Sequence, residues 1–153
     1  MAGKASYQDI DDAGFRAGQF GTPADWDTPD TGYVARVLAR SERWSRGRYG
    51  AGYDDVPADT LTGERLRGAE ICHAMALLWR ARAAFVDSNA ASSREQLAYM
   101  DRREYEASAT RLMDCAEEQM ALALGGEDAP AGTGAALSWA ESGPFAARAV
   151  ACP

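Results

Sequence analysis

With 153 residues, 46% of them hydrophobic, the chain is long enough to bury a single core and needs neither a metal nor a disulfide framework to account for a fold. Sixteen Lys and Arg against 23 Asp and Glu leave a net charge of -7, which weighs against nonspecific binding of nucleic acid by the whole surface. The opening residues, MAGKASYQDIDD, have no apolar targeting segment, and no stretch approaches the ~18 apolar residues of a membrane span, so a soluble chain without a membrane partner is expected.

Ser6 and Asp9 make a capping signal for a first helix over about residues 7 to 18, where Ile10, Ala13 and Ala17 recur at helical spacing. Gly18 and Gly21-Thr22-Pro23 end it, and GTPADWDTPDTG (residues 21 to 32) reads as a loop anchored by Trp26. A second helix is predicted from about Gly32 to Gly47, with Asp30 or Thr31 as its N-cap. At 100° per residue Tyr33, Val34, Val37, Leu38, Trp44 and Tyr49 fall on one side and Arg36, Arg40, Arg43 and Arg46 on the other. Residues 33 to 49 hold five arginines and one glutamate, or +4, between acidic neighbours of -4 (residues 1 to 32) and -3 (residues 50 to 62).

A third helix, about Leu61 to Val86, has Ile71, Met75, Leu78 and Phe85 as its seam, widened by Cys72, Trp79 and Val86. Alanines cover much of the remainder, so neighbouring helices can approach closely and this should be the most buried helix. Ser92 and Glu95 form a capping box for a fourth helix, about Ser93 to Leu124. Its inner face reads Leu97, Tyr105, Ala109, Leu112, Cys115, Ala116, Met120 and Ala123, and its outer face Arg103, Glu106, Asp114, Glu117 and Glu118. Gly125-Gly126 stops it, and residues 126 to 153, rich in Gly, Ala, Pro and Ser, read as an extended tail that keeps Trp139, Phe145 and Val150. The domain division is therefore 1-125, helical, and 126-153, tail.

Chemistry is sparsely signalled. Glu70-Ile71-Cys72-His73 has the ExxH spacing of di-iron helix bundles, but a second ExxH is required and the chain has one histidine. The helical wheel places His73 far from Ile71, as a surface or interface residue beside Glu70. Cys72 and His73 diverge by about 100° and do not form a nucleophilic pair. The three cysteines, Cys72, Cys115 and Cys152, show no CxxC spacing, so Cys72 reads as a small core residue. No Walker loop, GxGxxG, HExxH or GxSxG occurs, and the reading names no catalytic residue, no metal ligand and no cofactor. The arginine stripe suits acidic surface on another subunit, where the planar guanidinium meets paired carboxylates, with the acidic face of helix four as its complement. The alternative is a small helical DNA-binding regulator that sets the same stripe on phosphates.

The order of these elements resembles the head-to-tail connector (adaptor, or head-completion) proteins of tailed bacteriophages. The resemblance rests on WSRGRYGAGYDDVPADTL, with Trp44, Arg48-Tyr49, Pro57 and Leu61, on RGAEICHAMALLW, and on REYEASATRLMDCAEEQMALALGG, across residues 6 to 126. It implies an all-α, four-helix bundle-like connector subunit with an extended C-terminal arm. It further implies a ring of about a dozen copies in the phage neck, made in the host cytoplasm and carried in the virion. Its partners would be the portal protein, a tail or stopper protein, and genomic DNA passing through the lumen without sequence-specific binding. On this reading Arg36, Arg40, Arg43 and Arg46 lie at subunit or portal contacts, and Trp139, Phe145 and Val150 dock the tail on the portal.

Overall fold

The computed structural model describes residues 3–20, 25–89 and 102–125. These residues are helical in character, with four α-helices and no strand among them: α1 (Tyr7–Asp12), α2 (Tyr33–Tyr49), α3 (Leu61–Asn89) and α4 (Arg102–Gly125). Short 3-10 turns, Ala17–Phe20 and Tyr53–Asp55, lie before and after α2. Ser92, Glu95 and Leu97, and the tail residues Trp139, Phe145 and Val150, fall outside the described residues.

α1 starts where its sequence signal predicts, since the Asp9 carboxylate accepts the Ser6 backbone N–H at 2.7 Å and the Ser6 hydroxyl at 2.8 Å. It ends six residues earlier than expected. Gly14 takes φ 86, a left-handed geometry that breaks the helix, and Ala17 belongs to the separate 3-10 turn. Burial partly raises the Asp9 pKa, but donation by Arg67 and Ser6 outweighs it and holds the group below its ordinary value.

The N-cap of α2 is Gly32 rather than Asp30 or Thr31, and the capping groups are backbone carbonyls. The loop wraps over the helix start so that Thr28, Asp25 and Trp26 carbonyls accept the N–H groups of Gly32, Tyr33 and Val34 at 2.8, 2.8 and 3.2 Å. Any Cβ at position 32 would lie 2.4 Å from the Thr28 carbonyl oxygen, so only glycine permits this approach. Trp26 is the anchor expected of it: buried, it stacks on Phe20 (5.0 Å) and Tyr33 (5.5 Å), whose rings also meet each other at 5.9 Å.

α3 is the element against which the others assemble. α4 packs along it, α2 lies on another of its sides, and α1 and the first 3-10 turn also pack against it. One apolar cluster joins Ile10, Phe15, Trp26, Val34 and Val37 to Ala74 and Leu78 of α3. A second joins Tyr53, Leu66, Ala69, Met120 and Ala123. The fourth helix buries the predicted Tyr105, Ala109, Ala116, Met120 and Ala123, with Arg103, Glu106, Asp114 and Glu118 exposed. The predicted α3 seam holds in part: Leu78 and Cys72 are buried as expected. Ile71 and Met75 are only half-buried, whereas Leu66, Ala69, Glu70, His73, Ala74 and Ala76 are buried. A helix covered by α4 on one side and α2 on another has two buried arcs, so a single seam captures only part of what it buries.

Candidate functional site

Two polar centres lie beneath the arginine face of α2, both built on α3. At the first, Glu70 is 1% exposed, and its carboxylate receives donors from distant segments. One oxygen accepts the backbone N–H groups of Lys4 (2.8 Å) and Ala5 (2.9 Å); the other accepts the Tyr53 hydroxyl. Ser45 of α2 faces the same group. Lys4 also reaches the Val56 carbonyl through its ammonium at 2.6 Å. Burial raises the Glu70 pKa, an effect opposed by these hydrogen bonds. The Tyr53 pKa is raised too, by burial first and then by its bond to Glu70. Arg46 lies over the Tyr53 ring at 4.6 Å and pairs with Glu42 at 2.9 Å and Asp54 at 2.5 Å. The centre therefore ties Lys4 and Ala5, the loop after α2, and α2 itself to α3.

At the second centre the sequence reading is corrected: His73 is not a surface residue but is 6% exposed. Its ring stacks on Trp44 with centroids 4.5 Å apart and planes 9° from parallel. Its Nδ1 lies 2.9 Å from the Ser41 hydroxyl oxygen, which is itself 3.2 Å from the Val37 carbonyl. Both contacts are satisfied together when Nδ1 donates to Ser41 and Ser41 donates to Val37, an arrangement that fits a neutral imidazole. Burial first, then the positive charges of Arg40 and Arg80, push the His73 pKa down to about 4. Ser41 and His73 have the separation of a nucleophile and its base, but Ser41 is completely buried and no reacting carbonyl can reach its oxygen. The pair packs α2 against α3. Glu70 and His73 are not joined as metal ligands, and among the described residues no group of three or more His, Cys, Asp and Glu is placed to hold a metal.

The structure divides the four arginines. Arg36 pairs with Asp25 at 2.7 Å and donates to the Thr31 carbonyl at 2.6 Å, holding the loop before α2; Arg46 belongs to the Glu70 centre. Arg40 and Arg43 are exposed and make no ion pair among the described residues; the Arg43 guanidinium bends back to the Ala39 carbonyl at 3.2 Å. Arg80 of α3, which the sequence reading did not assign to this face, is also exposed, and it joins Arg40 in acting on His73. Of the acidic residues on α4, Glu117 pairs with Arg48 at 2.6 Å and Glu106 with Arg102 at 2.7 Å. Asp114 and Glu118 are exposed and make no ion pair among the described residues.

Sequence reasoning missed Ser41, Ser45, Tyr53 and the inward role of Glu70. A signal for the serines was present: Val37, Ser41 and Ser45 recur every four residues on the apolar side of α2. No helix among the described residues is long and apolar enough to cross a membrane. No protein-family model, no curated protein and no solved structure matches this chain.

Proposed function

We propose that the chain is a structural neck protein of a tailed bacteriophage: an adaptor subunit that assembles with copies of itself into a ring beneath the portal, extends the DNA channel and presents a platform for the tail or stopper. In this reading the helices form a bundle-like connector body, and residues 126–153 form the arm that docks on the portal. The observation that carries it is the pairing of open charges on a chain of net charge -7. Arg40 and Arg43 of α2 and Arg80 of α3, and Asp114 and Glu118 of α4, are exposed and make no ion pair among the described residues. Complementary patches on different elements of one subunit suit a head-to-tail contact between copies, and such contacts close into rings. The helical fold and the resemblance of residues 6 to 126 to the connector family support the same reading.

The test is electron microscopy of the protein mixed with portal-bearing capsids, beside the Arg40→Glu/Arg43→Glu variant. Wild-type protein should form rings on the portal. The double reversal should retain its helical content yet assemble at least tenfold more weakly, and adding Asp114→Lys/Glu118→Lys should restore assembly. Undiminished rings from the reversed protein would reject the charge contact. Deletion of residues 127–153 should leave the helical body folded and weaken portal docking. Tight, salt-sensitive binding of duplex DNA by the isolated protein would instead favour the regulator reading.

A further inference from the structure

The side of α3 that faces α4 carries a second chemistry. Arg65 donates to the Leu122 carbonyl at 2.9 Å, a Cβ on Gly68 would stand 3.6 Å from the Gln119 side chain, and the Cys72 and Cys115 sulfurs lie 2.6 Å apart. Partner numbers fall along α4 as they rise along α3, by the same steps, so the three contacts define one antiparallel register. The meeting of the cysteines follows from that register and from the small residues that let the helices approach, not from one side-chain rotamer. We propose that Cys72 and Cys115 are a dithiol site that small-molecule disulfides oxidise to an intramolecular disulfide, locking α3 to α4. The proposal is independent of ring assembly.

The chemistry balances with glutathione disulfide as oxidant. Cys115, the more accessible of the two, loses its proton and attacks one glutathione sulfur. An S–S bond forms to Cys115, the glutathione S–S bond breaks, and one reduced glutathione leaves with the proton. Cys72 then loses its proton and attacks the Cys115 sulfur. The protein disulfide forms as the second glutathione departs in reduced form. Two electrons and two protons pass from the protein thiols to the two glutathione thiols. Cys72, 8% exposed and already against its partner, is placed to resolve the mixed disulfide before it accumulates. The resulting cross-link closes a loop of more than forty residues in the unfolded chain, which restricts that state and raises the melting temperature.

The experiment uses the full chain carrying Cys152→Ser, equilibrated in buffers of increasing glutathione disulfide to glutathione ratio, then alkylated and weighed intact. The expected result is simultaneous loss of both alkylation sites, a mass lower by two hydrogens, and a digest peptide joining residues 72 and 115. The melting temperature should rise by roughly 5–15 °C. Cys72→Ser should instead hold a stable glutathione adduct on Cys115, a result that requires only an accessible thiol and a folded chain. Full alkylation of both cysteines at every ratio, or cross-links only between molecules, would overturn the proposal.

Discussion

Glu70 and His73 sit one turn apart on α3, both buried and both facing α2, yet their surroundings differ. Glu70 is met by Lys4 and Ala5, by Tyr53 after α2 and by Ser45; His73 is met by Ser41 and Trp44, both from α2. One centre fastens segments far apart in sequence, and the other joins two helices. A buried carboxylate tolerates its position through several donors at once, whereas a buried imidazole does so by remaining neutral with one hydrogen bond and one stacked ring. The lesson is that burial alone does not measure a polar group's structural reach; the number of independent segments that depend on it does.

The largest test of this contrast is Glu70→Ala. It should lower unfolding stability by about 3 kcal/mol in urea denaturation, because Tyr53 and two backbone amides lose their acceptor. Hydrogen exchange at Lys4 and Ala5 should accelerate with it; retained protection there would show that these two residues are held by other contacts. Next, Ser41→Ala should cost about 1 kcal/mol and leave exchange at Lys4 and Ala5 unchanged, since the loss is confined to the α2–α3 contact.

Acid titration separates the two centres by sign. His73 has a folded pKa of about 4 against an ordinary 6.5, so the unfolded chain binds the extra proton between these values. Its contribution to stability is complete above pH 6.5 and is lost as the pH falls toward 4. Glu70 has a raised folded pKa against an ordinary 4.5, so its contribution is complete below pH 4.5 and declines as pH rises through the folded value. The two therefore oppose one another above pH 4.5, and Glu70→Gln should steepen the acid-side fall in melting temperature that His73 causes. An unchanged profile would place the titrating groups elsewhere. The smallest effect belongs to Arg40→Ala: removing one positive charge near His73 should move the midpoint of its acid loss slightly upward in pH, with stability at neutral pH altered by less than about 0.5 kcal/mol.

Much of the helical organisation was legible from side-chain spacing alone. The α1 capping pair, the apolar side of α2, the Trp26 anchor and the inward face of α4 over residues 105 to 123 all follow from period and cap chemistry, which act over a few residues. Of the polar residues described above, Arg40 and Arg43 were legible as outward-facing, and both are exposed. His73 was misplaced because a helical wheel referred to Ile71 assumes one buried side, and α3 has two.

What the sequence by itself determined was that the chain is helical, where α1 starts and that Arg36, Arg40 and Arg43 face outward, because those outcomes depend on neighbours within a turn or two. Tertiary structure decided which buried polar groups meet: Glu70 with Tyr53 and the Lys4 amide, His73 with Ser41, Cys72 with Cys115, each pair separated by 17 to 66 positions. The physical reason is that such a meeting depends on the register between packed helices, which the contacts of every residue in the interface set jointly, and local spacing carries no record of it.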